Sequence, residues 1–334
     1  MIVMTHVFLT GATGFIGSHL VRKMLEEDYV LSALARSKEK GEKLEKMGIK
    51  VIYGDVTDIN SLEKIPDDVE AVIHLAAILK FHHIPWKDYY NVNVLGTENI
   101  LKVCSKRDIE HVIVTSSTEA IGPVKEIPGD ENTLPNPVYD YGKSKLLAEK
   151  VAMRFHEEEN VPVTIIRPTG VYGPGDTYIT LSVIRAVKKG RLKKLPGGGN
   201  NYLQFGYVED IVQGYLKILE NGMKTIGETY IITSEDYYTY REAFTTIAEI
   251  LGVEPPKGSM PVWLAKFGIG LIELWNRLRG RDDFVYHVSV VRDMLTNRVY
   301  SIEKAKRELG YRPRYNFKEG MKVTIKWFQE NGYI

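Results

Sequence analysis

The sequence predicts an α/β fold: a doubly wound parallel sheet with a smaller C-terminal lobe. Three observations carry this reading. Short apolar runs recur through the first half, helical patterns separate them, and Gly, Pro and Tyr concentrate in the second half. Val7–Thr10 is the first strand and runs into a glycine-rich turn. Gly17–Glu27 follows as a helix, with Leu20, Val21, Met24 and Leu25 on one face. Val30–Ala35 is the second strand, and Lys38–Lys46 a charged, mostly solvated helix. Val51–Tyr53, Ala71–Leu75 and Val112–Thr115 are the next strands. Helices lie at Asn91–Lys106 and Tyr141–Glu158. Thr164–Arg167 is a further strand, followed by turn-rich Pro168–Asp176. Buried strands alternating with helices specify βαβ units. The rest reads as a lobe of loops and short helices that closes over a pocket at the carboxyl ends of the strands.

Composition narrows the function. The 334 residues are 44% hydrophobic and 26% charged, enough for a large core and unlike a disordered or collagen-like chain. Lys and Arg total 44 against 43 Asp and Glu, so the basic excess that nucleic-acid binding needs is missing. Cys104 is the single cysteine. It permits neither an internal disulfide nor a Cys-based metal site, and it points to the cytoplasm. Its place beside Val103 suits a small core residue. Adjacent His82-His83 lack a third ligand at suitable spacing, so no metal is expected and a substrate-side loop is read there. The N-terminus shows no signal-peptide pattern. Val262–Leu278 contains Lys266, Glu273, Asn276 and Arg277. Leu264, Phe267, Leu271, Trp275 and Leu278 recur at helical spacing, so it reads as an amphipathic helix and not a membrane span. It is expected to serve as a soluble lid, with weak attraction to an acidic membrane surface as the alternative.

Gly11-Ala12-Thr13-Gly14-Phe15-Ile16-Gly17 joins the first strand to the first helix. Gly11 permits the tight turn, Gly14 lets backbone approach a pyrophosphate, and Gly17 lets helix and strand pack closely. The helix N-terminus then offers free N–H groups to phosphate. This is a Rossmann-type dinucleotide site, so residues 1–175 read as the cofactor domain. Residues 176–334 read as mainly a substrate-binding lobe, partly interleaved with it. The acid that normally binds the ribose 2′-hydroxyl is missing after the second strand, where Arg36 stands instead. A guanidinium there favours the 2′-phosphate, so NADP is expected over NAD.

Tyr139-Asp140-Tyr141-Gly142-Lys143-Ser144-Lys145 holds two Tyr-Lys pairs at i, i+4 spacing. The face of Tyr141 and Lys145 continues through Ala148, Ala152 and Phe155, whereas that of Lys143 continues through Lys150, Arg154 and Glu157. Tyr141/Lys145 is therefore the inward pair, and Tyr139 is expected to cover the cleft. An ammonium and an oxidised nicotinamide would both favour a Tyr141 phenolate able to exchange a proton with a substrate alcohol. Lys145 would also bind the nicotinamide ribose. Ser117, just past the strand Val112–Thr115, would orient the substrate oxygen, with Thr118 next in line.

With these motifs in place, the chain resembles the extended short-chain dehydrogenases/reductases, a group that includes nucleotide-sugar epimerases, dehydratases and 3β-hydroxysteroid dehydrogenases. The likeness also rests on Gly54-Asp55-Val56-Thr57-Asp58, His74-Leu75-Ala76-Ala77 and Asn93-Val94-Leu95-Gly96-Thr97. Arg167-Pro168-Thr169-Gly170-Val171-Tyr172-Gly173-Pro174 and Lys304-Ala305-Lys306-Arg307-Glu308-Leu309-Gly310-Tyr311 extend it almost end to end. It implies catalytic Ser117, Tyr141 and Lys145. It also implies cofactor contacts by Gly11, Thr13, Gly14, Phe15, Ile16, Gly17, Arg36, Asp55, Val56, Leu75, Ala76 and Ala77. Asn93 would be structural or relay a proton, and Pro168 and Val171 would flank the nicotinamide. A homodimer is expected.

Thr115–Pro123 and Gly197–Asp210 resemble 3β-hydroxysteroid dehydrogenases, while Arg36 is closer to dihydroflavonol-reductase-like members. Leu203-Gln204-Phe205 lacks the arginine with which epimerases grip a diphosphate, although Arg185, Arg191 or Arg292 could replace it. Glu119 stands near the place of a dehydratase acid and is equally read as structural. The expected function is NADP-preferring interconversion of a secondary alcohol and ketone on a bulky small molecule. The alternatives are a nucleotide-sugar epimerase or dehydratase and, outside enzymes, an NADP-sensing regulator.

Overall fold

The structure is a computed structural model and describes residues 5–79, 84–279 and 284–334. His82-His83 lie outside the described residues. Seven parallel strands form the central sheet: β1 (His6–Thr10), β2 (Val30–Ala35), β3 (Lys50–Tyr53), β4 (Ala71–His74), β5 (His111–Thr115), β6 (Val163–Pro168) and β7 (Thr229–Ile232). Their order is β7-β6-β5-β4-β1-β2-β3, so β1 has β2 on one side and β4 on the other. In register, Val7 pairs with Leu31 and with Ala71.

Alternation along the strands feeds two cores. Val7 and Leu9 pack with Leu20, Met24 and Tyr215 on one face. Phe8, Val72 and Val114 pack with Ile100, Leu101 and Phe155 on the other. Cys104 is buried in this second cluster. A third core, with Leu181, Ile184, Tyr207, Phe244, Phe317 and Phe328, holds the C-terminal elements together.

Three expectations about elements change. The sequence reading assigned no strand to Thr229–Ile232, yet it pairs with β6 and completes the sheet. Four residues beyond a helix carry too little pattern to be separated from a loop. The expected short helices of the second half include long ones: Val208–Asn221, Tyr240–Leu251, Val262–Leu278 and Phe317–Glu330. Two of these start with capping boxes, Thr239 with Glu242 and Asn316 with Glu319, which fix their first turns. Finally, the helix expected to start at Asn91 starts at Trp86. It passes through a π-helical stretch, Tyr90–Leu95, before Gly96–Cys104. Such stretches insert an extra residue per turn and are invisible to a 3.6-residue period.

Candidate active site

The glycine turn lies between β1 and the helix Phe15–Glu26, beside the point where strand order reverses. Gly11 has φ +76°, and a Cβ on it would meet the Ala76 nitrogen at 2.8 Å. A Cβ on Gly17 would sit 2.2 Å from the Gly11 carbonyl oxygen, so helix and turn touch backbone to backbone. Gly14 is the exposed N-cap. No side chain caps the helix and no acid occupies its first turn, which begins with Phe15 and Ile16. That leaves N–H groups and the positive dipole end for an anion. Thr13 is half-buried at the rim, as are Leu75, Ala76 and Ala77 after β4. The Thr10 hydroxyl fixes this rim, accepting the Ala76 N–H at 3.2 Å and meeting His74 Nδ1 at 2.7 Å. His74 Nε2 lies 3.1 Å from the Thr97 hydroxyl, and burial pushes the imidazole down to about 3, so it stays neutral. The side-chain-free cradle fits a dinucleotide phosphate.

Arg36 follows β2 and is exposed, with its guanidinium 3.6 Å from Asp55 Oδ2 beyond β3. The other Asp55 oxygen accepts the Thr57 N–H and hydroxyl at 2.9 and 2.8 Å. Val56 is buried, its carbonyl held by Asn99 at 3.0 Å. Asn93, inside the π-helical stretch, accepts the Ile78 N–H at 2.8 Å. It donates to the Ile78 carbonyl at 3.2 Å and to the Ser144 hydroxyl at 2.9 Å. It thereby ties the segment after β4 to the helix carrying Tyr141. Pro168 ends β6, and Val171 sits in a short strand, Gly170–Tyr172, paired with Phe205–Tyr207.

The helix Asp140–Glu159 buries Tyr141, Lys145, Ala148, Ala152 and Phe155 and exposes Lys143, Lys150, Arg154 and Glu157. Ser117 comes from the end of β5 and caps the 3₁₀ turn Thr118–Ala120, its hydroxyl accepting the Glu119 N–H at 3.1 Å. Ser117 also hydrogen-bonds Tyr141. Lys145 donates to the Thr115 carbonyl at 2.7 Å and lies 5.9 Å from the Tyr141 ring centroid. Gly142 permits this approach, since a Cβ there would come within 2.3 Å of the Glu119 carbonyl oxygen. Tyr139 points elsewhere and donates to Asp293 at 2.8 Å.

The electrostatics of the protein alone set the starting point for Tyr141. Without cofactor, the Tyr141 phenol lies above its ordinary value. Burial is the main cause and the Glu119 carboxylate adds to it, while the Ser117 hydrogen bond favours the phenolate. The same burial lowers Lys145 to about 8, against the attraction of Glu149.

Two ion clusters escaped the sequence reading. Behind Lys145, Glu149 receives two hydrogen bonds from Arg167 of β6 at 2.8 Å each, and the Ser116 hydroxyl donates to it. Glu149 stands one helical turn after Lys145, the only cue its position offered. In front, Arg298 bridges Glu119 and Asp293. Burial raises both carboxyls above their ordinary values, while Arg298 opposes it. These three residues share a pocket with Thr118, Thr169 and Gly170 that is otherwise walled mainly by apolar groups such as Leu203, Phe244, Phe284 and Met321. Arg185, Arg191 and Arg292 are absent from its described lining. Arg185 instead donates to the Tyr333 carbonyl at 2.9 Å, and Arg191 lies over the Tyr286 ring. Among the described residues no cluster of His, Cys, Asp and Glu is arranged to hold a metal.

Comparison with known proteins agrees with this architecture. The chain is 27% identical to the Bos taurus sterol-4-alpha-carboxylate 3-dehydrogenase, decarboxylating, over 95% of this chain and 91% of that protein. It is 25% identical to the 3 beta-hydroxysteroid dehydrogenase/Delta 5-->4-isomerase of Mycobacterium tuberculosis, over 96% and 90%. The crystal structure of UDP-glucuronic acid 4-epimerase from Bacillus cereus in complex with NAD shares the fold. Its TM-score is 0.76, with 22% identity and 98% and 99% coverage. The model of the NAD dependent epimerase/dehydratase family matches residues 7–233. The glycine cradle and parallel sheet thus belong to a member of that family, an enzyme of the extended short-chain dehydrogenase/reductase type.

Proposed function

We propose that this enzyme interconverts a secondary alcohol and its ketone on a bulky, largely apolar substrate, preferring NADP to NAD. The carrying observation is the pocket beside Ser117: the one arginine among its described lining residues, Arg298, is already held by Glu119 and Asp293. The trio has a formal charge of −1 when ionised, which disfavours the diphosphate of a nucleotide sugar. An apolar wall suits a hydrocarbon skeleton.

The nicotinamide cofactor, when bound, accepts or returns the hydride. Ser117 orients the substrate oxygen from the end of β5. Tyr141 takes the alcohol proton, or returns it in the reductive direction. Lys145, held by the Thr115 carbonyl, supplies positive charge beside the phenol. The turn Gly11–Gly17 with Leu75, Ala76 and Ala77 holds the dinucleotide, and Arg36 and Asp55 flank its adenosine end. The names of the sterol and steroid dehydrogenase relatives support the substrate class.

The test is a screen of hydroxysteroids, flavanols and nucleotide sugars with NADP and NAD, followed by reduced-cofactor absorbance. Net accumulation with an apolar alcohol supports the proposal. Product from a nucleotide sugar without accumulation assigns an epimerase.

A further inference from the structure

Lys145 and Glu149 stand one turn apart on the buried side of the helix Asp140–Glu159, and the end of β5 grips both. The Thr115 carbonyl accepts the Lys145 ammonium at 2.7 Å, and the next residue, Ser116, donates its hydroxyl to Glu149. Strand β6 completes the arrangement. Ile166 pairs with Thr115 in register and accepts the Ser116 N–H at 2.8 Å, so Arg167 follows at the level of Ser116. Its guanidinium holds both Glu149 oxygens at 2.8 Å and donates to the Glu131 carbonyl at 3.1 Å. Lys145, Glu149 and Arg167 are 4%, 5% and 8% exposed, so salt screens little of their interaction. The network thus runs cation, anion, cation, with Glu149 in the middle. A buried ion pair is weak evidence of a stabilising role, since apolar residues of similar volume often serve as well. Its position beside Lys145 gives this one a different consequence.

We propose that Glu149 and Arg167 are positioning residues that set the charge state of Lys145, and through it the charge beside Tyr141. This rests on the roles proposed above for Tyr141 and Lys145. Both partners are needed. Glu149 favours the ammonium against burial, which pulls Lys145 down to about 8. Arg167 keeps the Glu149 carboxylate ionised in the interior and neutralises part of its field. Lys145 is thereby held charged near neutrality but still able to release its proton. The other groups around the lysine do not supply this. On β4, His74 is kept neutral by burial and by the lysine charge. Burial also keeps the phenols of Tyr89 and Tyr215 neutral. Glu119, on the 3₁₀ turn, is held by Arg298. Glu98, on the adjoining helix Gly96–Cys104, pairs with Lys102 and Arg154. The Glu131 carboxylate accepts the Ile231 N–H at 2.9 Å, and its residue joins the network through the carbonyl that Arg167 holds. Among the described residues Glu149 is therefore the carboxylate that acts on Lys145.

The experiment is an NMR titration of Lys145 in the full chain, following the Cε shift of carbon-labelled lysine. Loss of the signal in Lys145→Met identifies it. Wild type is expected to titrate near pH 8. Glu149→Gln leaves Arg167 uncompensated near the lysine and should lower the midpoint by about one pH unit or more. Arg167→Gln leaves Glu149 uncompensated and should raise it by a similar amount. A merely structural pair would not move the midpoint in opposite directions. The double change Glu149→Gln, Arg167→Gln removes the anion nearest the lysine together with its counter-cation, and should fall between Glu149→Gln and wild type. Arg167→Lys keeps the charge and is expected to return the midpoint to that of wild type. Equal midpoints in all variants, or single variants that move in the same direction, overturn the proposal. Should the single variants fail to fold, the double variant decides: a midpoint below wild type supports the proposal and an unchanged one overturns it. No substrate enters this titration. The expected order in a protein that turns over no alcohol would keep the charge device and remove the proposed reaction. Turnover with that order absent would remove the device alone.

Discussion

Lys145 donates its ammonium to the Thr115 carbonyl oxygen at 2.7 Å, which anchors the helix Asp140–Glu159 to the end of β5. The contact places the charge beside the Tyr141 ring while leaving it under a burial penalty that lowers its pKa to about 8.

That shift predicts a stability signature. A lysine in the unfolded chain titrates near its ordinary value of 10.5, so between about pH 8 and 10.5 the unfolded chain binds more protons at this site than the folded one. Unfolding free energy must then rise with pH across that window. Below it the penalty is fully present. Urea unfolding of wild type and Lys145→Met should show the difference between them moving in favour of wild type as pH rises from 8 towards 10. A difference independent of pH would place the charge in a solvated site.

Replacing Tyr141 with Phe should reduce kcat by roughly 10²–10⁴-fold, the range of a lost general acid–base group, while cofactor binding persists. Tyr139→Phe should act more mildly. It removes the hydrogen bond to Asp293 and costs about 1 kcal/mol of stability. Turnover and cofactor titration on both variants separate the two. An inactive Tyr139→Phe with an active Tyr141→Phe would transfer the proton-handling role to the other frame.

The framework of the site was legible because it is local. The glycine turn needs one strand, one turn and one helix, and the Tyr141/Lys145 choice needs one helical face. What was not legible depends on distant segments. Arg298 reaches Glu119 across 179 positions, so the charge balance of the pocket has no signature in either neighbourhood. Glu149 meets Arg167 only because the helix lies across β6. Asn93 sits in a π-helical stretch that a regular period does not reveal. The segment Val262–Leu278 is the instructive case. Periodicity identified the helix but not which side faces out; in the structure Glu273, against His287, lies on the packed side.

Arg298 holds two half-buried carboxylates, and Arg298→Met leaves them without their cation. Breaking a buried ion pair in this way costs about 3–5 kcal/mol near neutrality. Burial already raises both carboxyls, and loss of the guanidinium raises them further. A raised folded-state value means that the penalty is present above it and relieved as pH falls and the carboxyls protonate. The Tm deficit of Arg298→Met should therefore be smaller at pH 5 than at pH 8. An equal deficit at both would locate the damage in packing alone.

Gly142→Ala tests how tightly the helix Asp140–Glu159 must approach Ser117. The added Cβ would fall 2.3 Å from the Glu119 carbonyl oxygen, a backbone atom that a rotamer change cannot move. The helix must shift, and overpacking of this kind costs about 1–3 kcal/mol. Because Tyr141 is the adjacent residue, the shift should lengthen its hydrogen bond to Ser117. Activity should fall more than cofactor affinity, measured by turnover beside direct titration. Unchanged activity would show that the Ser117–Tyr141 geometry tolerates displacement.

Arg36 should set cofactor choice. It is exposed and only 3.6 Å from Asp55, so the ion pair is weak enough to be exchanged for a stronger anion. A 2′-phosphate would offer the guanidinium two parallel charge-assisted hydrogen bonds, worth about 1.5–3 kcal/mol each. Even one such bond makes NADP bind roughly one to two orders of magnitude more tightly than NAD. Arg36→Ala should narrow the gap by weakening NADP, and its effect on NAD should be small. Asp55→Asn should strengthen NADP by freeing the guanidinium from its competitor. Direct titration of both cofactors against the three proteins decides it: a wild-type preference for NAD would mean that Asp55 keeps Arg36 and that the ribose is read by another group.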